Sequence, residues 1–105
     1  MTDDKPEGLK IGKYFLVVKY LAGGSFGRLY IGKNTKNNED VAIKMEKTTV
    51  ERPQLVFEFA FFRKLKADGP PHKGIPKIHY FGPCGQTWSA LVMDLLGPSE
   101  KVDRF

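Results

Sequence analysis

Two charged residues, Lys44 and Glu58, occupy positions in the sequence that suggest chemistry as well as solvation. Lys44 lies in a segment that alternates like a strand, on the same face as the small residue Ala42. Glu58 lies in a predicted helix, in line with apolar residues that include Leu55 and Phe62, and none of its helical neighbours is basic. Burial of an unpaired charge is costly, so a carboxylate on an apolar face needs a cation from another element. We therefore expect Lys44 to pair with Glu58.

Each of these residues also has an ordinary interpretation. A single lysine on a strand is usually an exposed charge at a sheet edge. A rotation of the helix would turn Glu58 toward water. The phenylalanines around Glu58 favour the paired arrangement, because they make that side of the helix apolar.

A glycine-rich segment precedes Lys44 and reads Gly-Gly-Ser-Phe-Gly over residues 23–27. Where side chains are absent, backbone N–H groups can approach phosphate oxygens closely. Residues 29–31 are strand-like rather than helical, which favours a hairpin flap over a ligand and disfavours a dinucleotide-binding turn. A flexible hairpin tip without a ligand is the alternative, and the glycines alone do not decide between the two.

The same region also approaches the pattern of a Walker A phosphate loop. Residues 27–33 run from glycine to Gly-Lys, as that loop does. However, Asn34 stands where the loop needs a magnesium-binding Ser or Thr, and the middle of the segment is apolar. We therefore exclude this motif.

Five segments have the composition of strands, and we expect them to form an antiparallel sheet. They are residues 14–21, 28–32, 41–46, 77–82 and 87–95. The last two flank a predicted Gly-Pro-Cys-Gly turn. Residues 1–13 are expected to be a polar tail that leads into the sheet.

One helix is predicted between the third and fourth strands. Residues 54–66 contain no glycine or proline and place apolar residues at helical spacing. Pro53 suits the first helical position, and Gly-Pro-Pro at residues 69–71 is expected to end the helix. The expected fold class is therefore α+β, a five-stranded antiparallel sheet covered by one helix.

Composition indicates one small domain, since the chain has 105 residues, of which 41% are hydrophobic and 28% charged. The formal net charge is +5. The lysines and arginines are nevertheless spread along the chain, and no block of them forms a nucleic-acid-binding arm. We expect a mildly basic surface and no nucleic-acid partner.

The cellular compartment is suggested by three features. Cys84 is the only cysteine, which favours a reducing environment. The acidic N-terminus is unlike a signal peptide. No apolar run approaches the ~20 residues of a transmembrane helix. The expectation is a cytoplasmic protein with no membrane segment.

Several motifs, in order, resemble those of protein kinases and specifically the casein kinase 1 family. Residues 41–44 read Val-Ala-Ile-Lys, and residues 22–29 are similar to the kinase nucleotide flap. Residues 52–55 followed by Glu58 resemble the αC helix of that family. Residues 91–99 resemble its hinge, and residues 80–85 resemble the gamma subclass. The resemblance covers residues 14–99 and implies the N-terminal lobe of a kinase domain.

On the phosphate side, the resemblance assigns the flap and the charged pair to ATP. The backbone of residues 24–27 would cover the phosphates. The flap residues assigned to the cofactor are Ala22, Gly23, Gly24, Ser25, Phe26 and Gly27. Lys44 would bind the α- and β-phosphates and would pair with Glu58.

On the adenine side, the resemblance assigns apolar residues and the hinge backbone. Three side chains would sandwich the ring: Leu21, Leu29 and Ala42. Met93 would be the gatekeeper, and the backbones of Asp94 and Leu96 would hydrogen-bond to the edge of the ring.

The chain departs from the family pattern in two places. Ala22 replaces the first glycine of the flap, and a β-carbon there costs about 1 kcal/mol if the position requires a positive φ. After Ser99 the pattern stops, and residues 100–105 diverge from it. The sequence contains no His-Arg-Asp catalytic loop and no metal-binding Asp-Phe-Gly, so the C-terminal lobe is absent from it.

Two forms of this interpretation stay open: a truncated casein kinase 1-like Ser/Thr kinase, or a short isoform that acts as a non-catalytic binding or regulatory module. Both predict weak binding of ATP or an inhibitor without phosphoryl transfer. Mg²⁺ and protein substrates are expected only for the complete kinase. Both also predict self-association through the apolar lower face that a C-terminal lobe would cover.

An RNA-binding module is a remote alternative. Residues 29–34 resemble the first RNA-contacting strand of the RRM fold. That fold also needs an aromatic, glycine-containing strand about thirty residues later. Residues 58–68 are predicted to be helical instead, which disfavours this alternative.

Overall fold

Apolar residues that alternate along several segments form a sheet with one apolar cluster on each face. The computed structural model describes residues 6–24, 27–68 and 77–95. Within them the fold is α+β, with a six-stranded antiparallel sheet and one helix. In chain order the elements are β1 (Lys10–Ile11), β2 (Phe15–Gly23), β3 (Arg28–Asn34), β4 (Glu39–Lys47), α1 (Leu55–Asp68), β5 (Ile78–Cys84) and β6 (Trp88–Asp94).

The strand order in the sheet is β1-β2-β3-β4-β6-β5, which places β4 inside the sheet between β3 and β6. The two ends of this order come close together. The Cys84 thiol of β5 lies 4.0 Å from the carbonyl oxygen of Lys10 in β1. The sheet therefore curls almost into a barrel.

Strand β4 separates two apolar clusters. Val41, Ile43 and Met45 belong to an inner cluster on the concave side of the sheet, together with Trp88. Ala42 belongs to a helix-side cluster whose buried members are Ala42, Leu55, Leu91 and Met93. The alternation predicted for this strand is thus confirmed.

The sheet has one strand more than the five that were predicted. Strand β1 lies within residues 1–13, the segment expected to be a polar tail, and it pairs Ile11 with Phe15 of β2. Ile11 is fully buried in the inner cluster. A strand of two residues is too short to produce an alternation pattern, so it could not be predicted from the sequence.

The start of the helix differs from the prediction. Helix α1 begins at Leu55, and the carbonyl of Gln54 accepts hydrogen bonds from the N–H groups of Phe57 and Glu58. Gln54 is therefore the capping residue, and Pro53 lies before it instead of at the first helical position. The predicted terminator at residues 69–71 lies outside the described residues.

The turn between the last two strands is also shifted. Gly82, Pro83 and Cys84 are part of β5 and pair with β6, so the predicted Gly-Pro-Cys-Gly turn is wrong. Strand β5 is at the edge of the sheet, where a proline without an N–H is tolerated. The chain reverses after it, at Gly85, whose φ of 68° suits glycine.

Helix α1 packs on the sheet through one side only. Leu55 is buried, and Phe59 and Phe62 are partly buried against the helix-side cluster. Phe57 and Phe61 are 69% and 59% exposed. The helical spacing predicted for the apolar residues of this segment is confirmed by Leu55, Phe59 and Phe62.

In the part of the chain that is described, no helix has the length and apolar character that crossing a bilayer requires.

Gly32 provides a test of how tightly the sheet is packed. A β-carbon at this position in β3 would lie 2.7 Å from the carbonyl oxygen of Leu16 and would overlap the side chain of Ile43. We expect Gly32→Ala to lower the free energy of unfolding by about 1–3 kcal/mol, measured by urea denaturation. Gly24→Ala is the matched control, because nothing lies within 4 Å of its added β-carbon. Equal stability of the two variants would contradict this view of the sheet.

Candidate functional site

A cleft of about 640 Å³ lies between the β2–β3 hairpin, strand β4 and the start of helix α1. The hairpin contributes Ala22 and three glycines to its wall. Lys44 and Glu46 enter it from β4, and Leu55 and Glu58 enter it from α1. The cleft therefore joins the glycine-rich segment and the two charged residues that the sequence singles out.

The ammonium of Lys44 donates a hydrogen bond to Oε1 of Glu58 over 2.6 Å. The two groups lie on the same side of the sheet, as the sequence argument requires. Their side chains are 40% and 35% exposed, so the pair is accessible from the cleft. An ion pair with this exposure stabilises the fold by about 0–1 kcal/mol.

The position of Lys44 is fixed by its strand. In the sheet register Lys44 is opposite Leu29 of β3 and Leu91 of β6. Because β4 is paired on both sides, its backbone has little freedom to move. Alternation then directs Lys44 to the same side as Ala42, toward the helix.

The two outer glycines of the hairpin differ in how closely they are packed. A β-carbon on Gly27 would lie 3.3 Å from the Met45 carbonyl oxygen, a tight contact with backbone, whereas one on Gly23 would meet the movable hydroxyl of Tyr20 at 2.9 Å. The N–H of Gly24 donates to the Gly27 carbonyl over 2.9 Å and closes the hairpin. Ser25 and Phe26, also predicted to be site residues, lie outside the described residues.

Ala22 is not strained. It lies in β2 opposite Leu29, and among the described non-glycine residues a positive φ occurs at Asn38 alone. The cost considered for a β-carbon at this position therefore does not arise. Ala22 lines the cleft like its glycine neighbours.

The residues proposed to contact an adenine ring lie next to the cleft, and most are outside its lining. Ala42 is opposite Met93 in the sheet, and both are buried in the helix-side cluster. Leu29 packs against this cluster and also lines the cleft, so it connects the two regions. Leu21 is 42% exposed on the hairpin. The structure thus brings the predicted phosphate-side residues into one cleft, whereas Leu21, Ala42 and Met93 are not among the residues that line it.

Asp94 ends strand β6 and is held there by two contacts. Its N–H donates to the carbonyl of Lys77 over 3.0 Å. Its carboxylate lies 2.5 Å from Nε2 of His79. Since this N–H is engaged, the Asp94 backbone has no donor to offer a ligand. Leu96, the other predicted hinge contact, lies outside the described residues.

Glu46 is a site residue that sequence reasoning did not identify. It is 5% exposed, and its Oε1 accepts hydrogen bonds from the N–H groups of Gln54 over 2.7 Å and Leu55 over 3.2 Å. Glu46 follows Lys44 by two residues in β4, so the alternation of the strand places it on the same face, toward the helix. An acidic residue on a buried face, shortly before a helix, is the signal that would have indicated a cap.

The groups with shifted pKa values lie elsewhere. Burial raises the pKa of the Cys84 thiol. Burial also raises the pKa of Tyr80, and the nearby Cys84 adds to that effect. Both residues belong to or pack against the inner cluster, across the sheet from the cleft. In the described ranges, three or more metal-ligating side chains do not come together anywhere.

Comparison with protein families adds no identity, because no family model matches the chain.

The partial exposure of the Lys44–Glu58 pair leads to a stability prediction. We expect Lys44→Met and Glu58→Gln each to lower the free energy of unfolding by less than about 1 kcal/mol, because water screens the pair. Urea denaturation measures this. Lys33→Met is the matched control, because Lys33 pairs with Asp40 over 3.2 Å at comparable exposure. A loss of about 3 kcal/mol or more would indicate a buried ion pair instead.

Proposed function

We propose that this chain is the ATP-binding N-terminal lobe of a Ser/Thr protein kinase similar to casein kinase 1. The observation that carries the proposal is the contact between Lys44 and Glu58 at 2.6 Å in a cleft walled by the glycine hairpin. In protein kinases an ion pair of this kind, from a strand lysine to a helix glutamate, positions the lysine for the phosphates of ATP.

The phosphate end of the site has suitable chemistry. A lysine ammonium carries three donors, and Glu58 uses one of them. Within the described part of the chain no second contact of this ammonium is seen, so the other donors can bind phosphate oxygens in the cleft. The flap backbone can approach the same oxygens because Gly23, Gly24 and Gly27 line the cleft without side chains. A volume of about 640 Å³ lies in the range usual for small-molecule sites.

The adenine end of the proposed site follows the sheet from Leu29 toward the end of β6. In this proposal Leu21, Leu29 and Ala42 contact the faces of the ring, and Met93 lies behind it. The Asp94 carbonyl accepts a hydrogen bond from the edge of the ring, with Leu96 as the second backbone contact. The buried, apolar surroundings of Ala42 and Met93 support this placement, since flat rings bind to apolar surfaces.

The chain holds one half of a kinase reaction centre. The 105 residues contain no His-Arg-Asp loop to accept the proton of a substrate hydroxyl. Mg²⁺ does not fit the described residues either, because no cluster of carboxylates is present among them. We propose that protein substrates and Mg²⁺ belong to complete members of the family, and that this chain binds nucleotide without transferring phosphate. A non-catalytic regulatory isoform would have the same property.

The proposal includes a cytoplasmic location. Cys84 is a free and buried thiol, which suits a reducing compartment.

Nucleotide titration tests the proposed site. We expect the chain to bind ATP, and Lys44→Met to weaken ATP binding about 10- to 100-fold through loss of charge-assisted hydrogen bonds to phosphate. Adenosine binding should be nearly unchanged, because Lys44 lies at the phosphate end. Isothermal titration calorimetry measures both affinities, with Lys33→Met as the control.

A single-turnover assay with radiolabelled ATP completes this test, and no phosphate should reach a protein substrate. Equal losses for ATP and adenosine would contradict the assigned role of Lys44. Transfer of phosphate by the purified chain would contradict the absence of catalysis.

An incompletely covered apolar surface supports the proposed self-association. Six side chains around the helix-side cluster are only partly buried: Leu29, Phe59, Phe62, Ile78, Phe81 and Leu95. A single helix of 14 residues does not cover them fully. We propose that this surface includes the lower face that a C-terminal lobe covers in complete kinases.

The isolated chain should therefore associate as its concentration rises. In sedimentation velocity we expect the weight-average mass to increase from the micromolar to the millimolar range, because burial of apolar surface favours a second copy. Leu95→Lys should reduce this association. Val18→Lys, which alters an exposed apolar residue of the hairpin, is the control. A monomer at all concentrations would contradict the prediction.

A further inference from the structure

Glu46 is a nearly fully buried carboxylate that reaches from the sheet to the helix. It is 5% exposed and lies on β4, two residues after Lys44 and on the same face. Its Oε1 accepts the N–H groups of Gln54 and Leu55, at the very start of α1. The first N–H groups of a helix have no partners within the helix, and the positive end of the helix dipole favours a carboxylate. Glu46 thus attaches the start of α1 to β4.

The contacts made by Glu46 and Glu58 are spaced by a similar distance along β4 and along α1. From Lys44 to Glu46 the strand advances by about 6.6 Å, since each residue adds about 3.3 Å. From Gln54 or Leu55 to Glu58 the helix advances by about 4.5–6 Å, at 1.5 Å per residue. The two contacts therefore connect corresponding points of the two elements. One contact alone would let the helix pivot, whereas two fix its position along the strand.

The apolar contacts of α1 do not fix it equally well. Among the residues of α1 whose side chains are described, Leu55 alone is buried. Phe57 and Phe61 face solvent, and Phe59 and Phe62 are only partly buried. Apolar contacts are not directional, so they tolerate rotation and sliding of the helix. Hydrogen bonds from Glu46 do not, because they weaken steeply with distance and angle.

We infer that Glu46 is a positioning residue: by holding the start of α1 on β4, it places Glu58 within reach of Lys44 and so orients the ammonium toward the cleft. The effect on ATP rests on the proposed function, whereas the effect on the Lys44–Glu58 contact does not. Loss of Glu46 should weaken the binding of phosphate-bearing ligands and leave adenosine binding nearly unchanged. Glu46 itself needs no contact with the nucleotide.

Three variants of the full chain test this role. Glu46→Ala removes the acceptor, Glu46→Asp withdraws the carboxylate by one methylene, and Glu46→Gln keeps an oxygen that accepts N–H groups. Glu51→Ala, an exposed acid in the loop before α1, is the control. The emission of Trp88, the single tryptophan, shows whether each variant is folded, because Trp88 is buried in the inner cluster across the sheet from α1.

The first readout is independent of ligand. In carboxyl-detected ¹³C NMR, Lys44→Met should shift the Glu58 resonance in the wild-type, Glu46→Gln and Glu51→Ala backgrounds. In the Glu46→Ala and Glu46→Asp backgrounds the same substitution should shift it by less than about half as much, because α1 no longer holds Glu58 at hydrogen-bond distance from Lys44. If Glu46→Ala does not fold, the Glu46→Asp variant decides.

The second readout is the ratio of ATP affinity to adenosine affinity. We expect Glu46→Ala to lower this ratio about tenfold, a loss similar to that of a helix cap, and Glu46→Gln to restore most of it. An unchanged Glu58 response in a folded Glu46→Ala or Glu46→Asp variant would overturn the inference and leave Glu46 as a cap alone. If the wild-type chain binds no ATP, the proposed function fails, and the NMR response still decides the role of Glu46.

Discussion

The site depends on two carboxylates that connect strand β4 with helix α1, one from each element. Glu46 extends from strand β4 to the backbone at the start of α1, and Glu58 extends from α1 back to Lys44 on β4. The two differ in burial, at 5% for the Glu46 residue and 35% for the Glu58 side chain. The buried contact fixes the helix, because an unsatisfied buried carboxylate is costly. The more exposed contact adds little stability and is accessible from the cleft.

Strand β4 can support this arrangement because one of its faces packs in the inner cluster and the other faces the helix. Its odd-numbered residues Val41, Ile43 and Met45 are buried in the inner cluster and hold the curled sheet together. Its even-numbered residues face the helix and can therefore be polar where the site needs them. A substitution on the even face changes the site without removing the core that defines the fold. A change at Gly32, which packs against Ile43, acts on the core instead.

The sequence predicted those features that repeat or that leave a charge unpaired. The alternation of β4 and the lack of a basic neighbour for Glu58 within its helix are both visible in the sequence, and together they predict the contact with Lys44. Strand β1 could not be predicted, because two residues are too few to show a period in hydrophobicity. Pro83 was misleading, because proline marks turns unless a strand lies at a sheet edge, which is a property of the whole fold. The acidic type of Glu46 on a buried face is a signal of a helix cap, but which N–H groups it accepts follows only from the three-dimensional structure.

The two ends of the proposed nucleotide site differ in how far they are formed. At the phosphate end, the hairpin, Lys44 and Glu58 already surround an open cleft. At the ring end, Ala42 and Met93 are buried among apolar neighbours and do not line that cleft. A ring can enter there only by displacing side chains of the helix-side cluster, of which Leu29 and Leu95 are partly exposed. In this proposal, affinity for the ring depends on how easily this cluster opens, and affinity for the phosphates depends on the charged groups. Leu29 packs against the helix-side cluster and also lines the cleft. In this proposal, movement of its side chain therefore connects opening of the cluster with binding in the cleft.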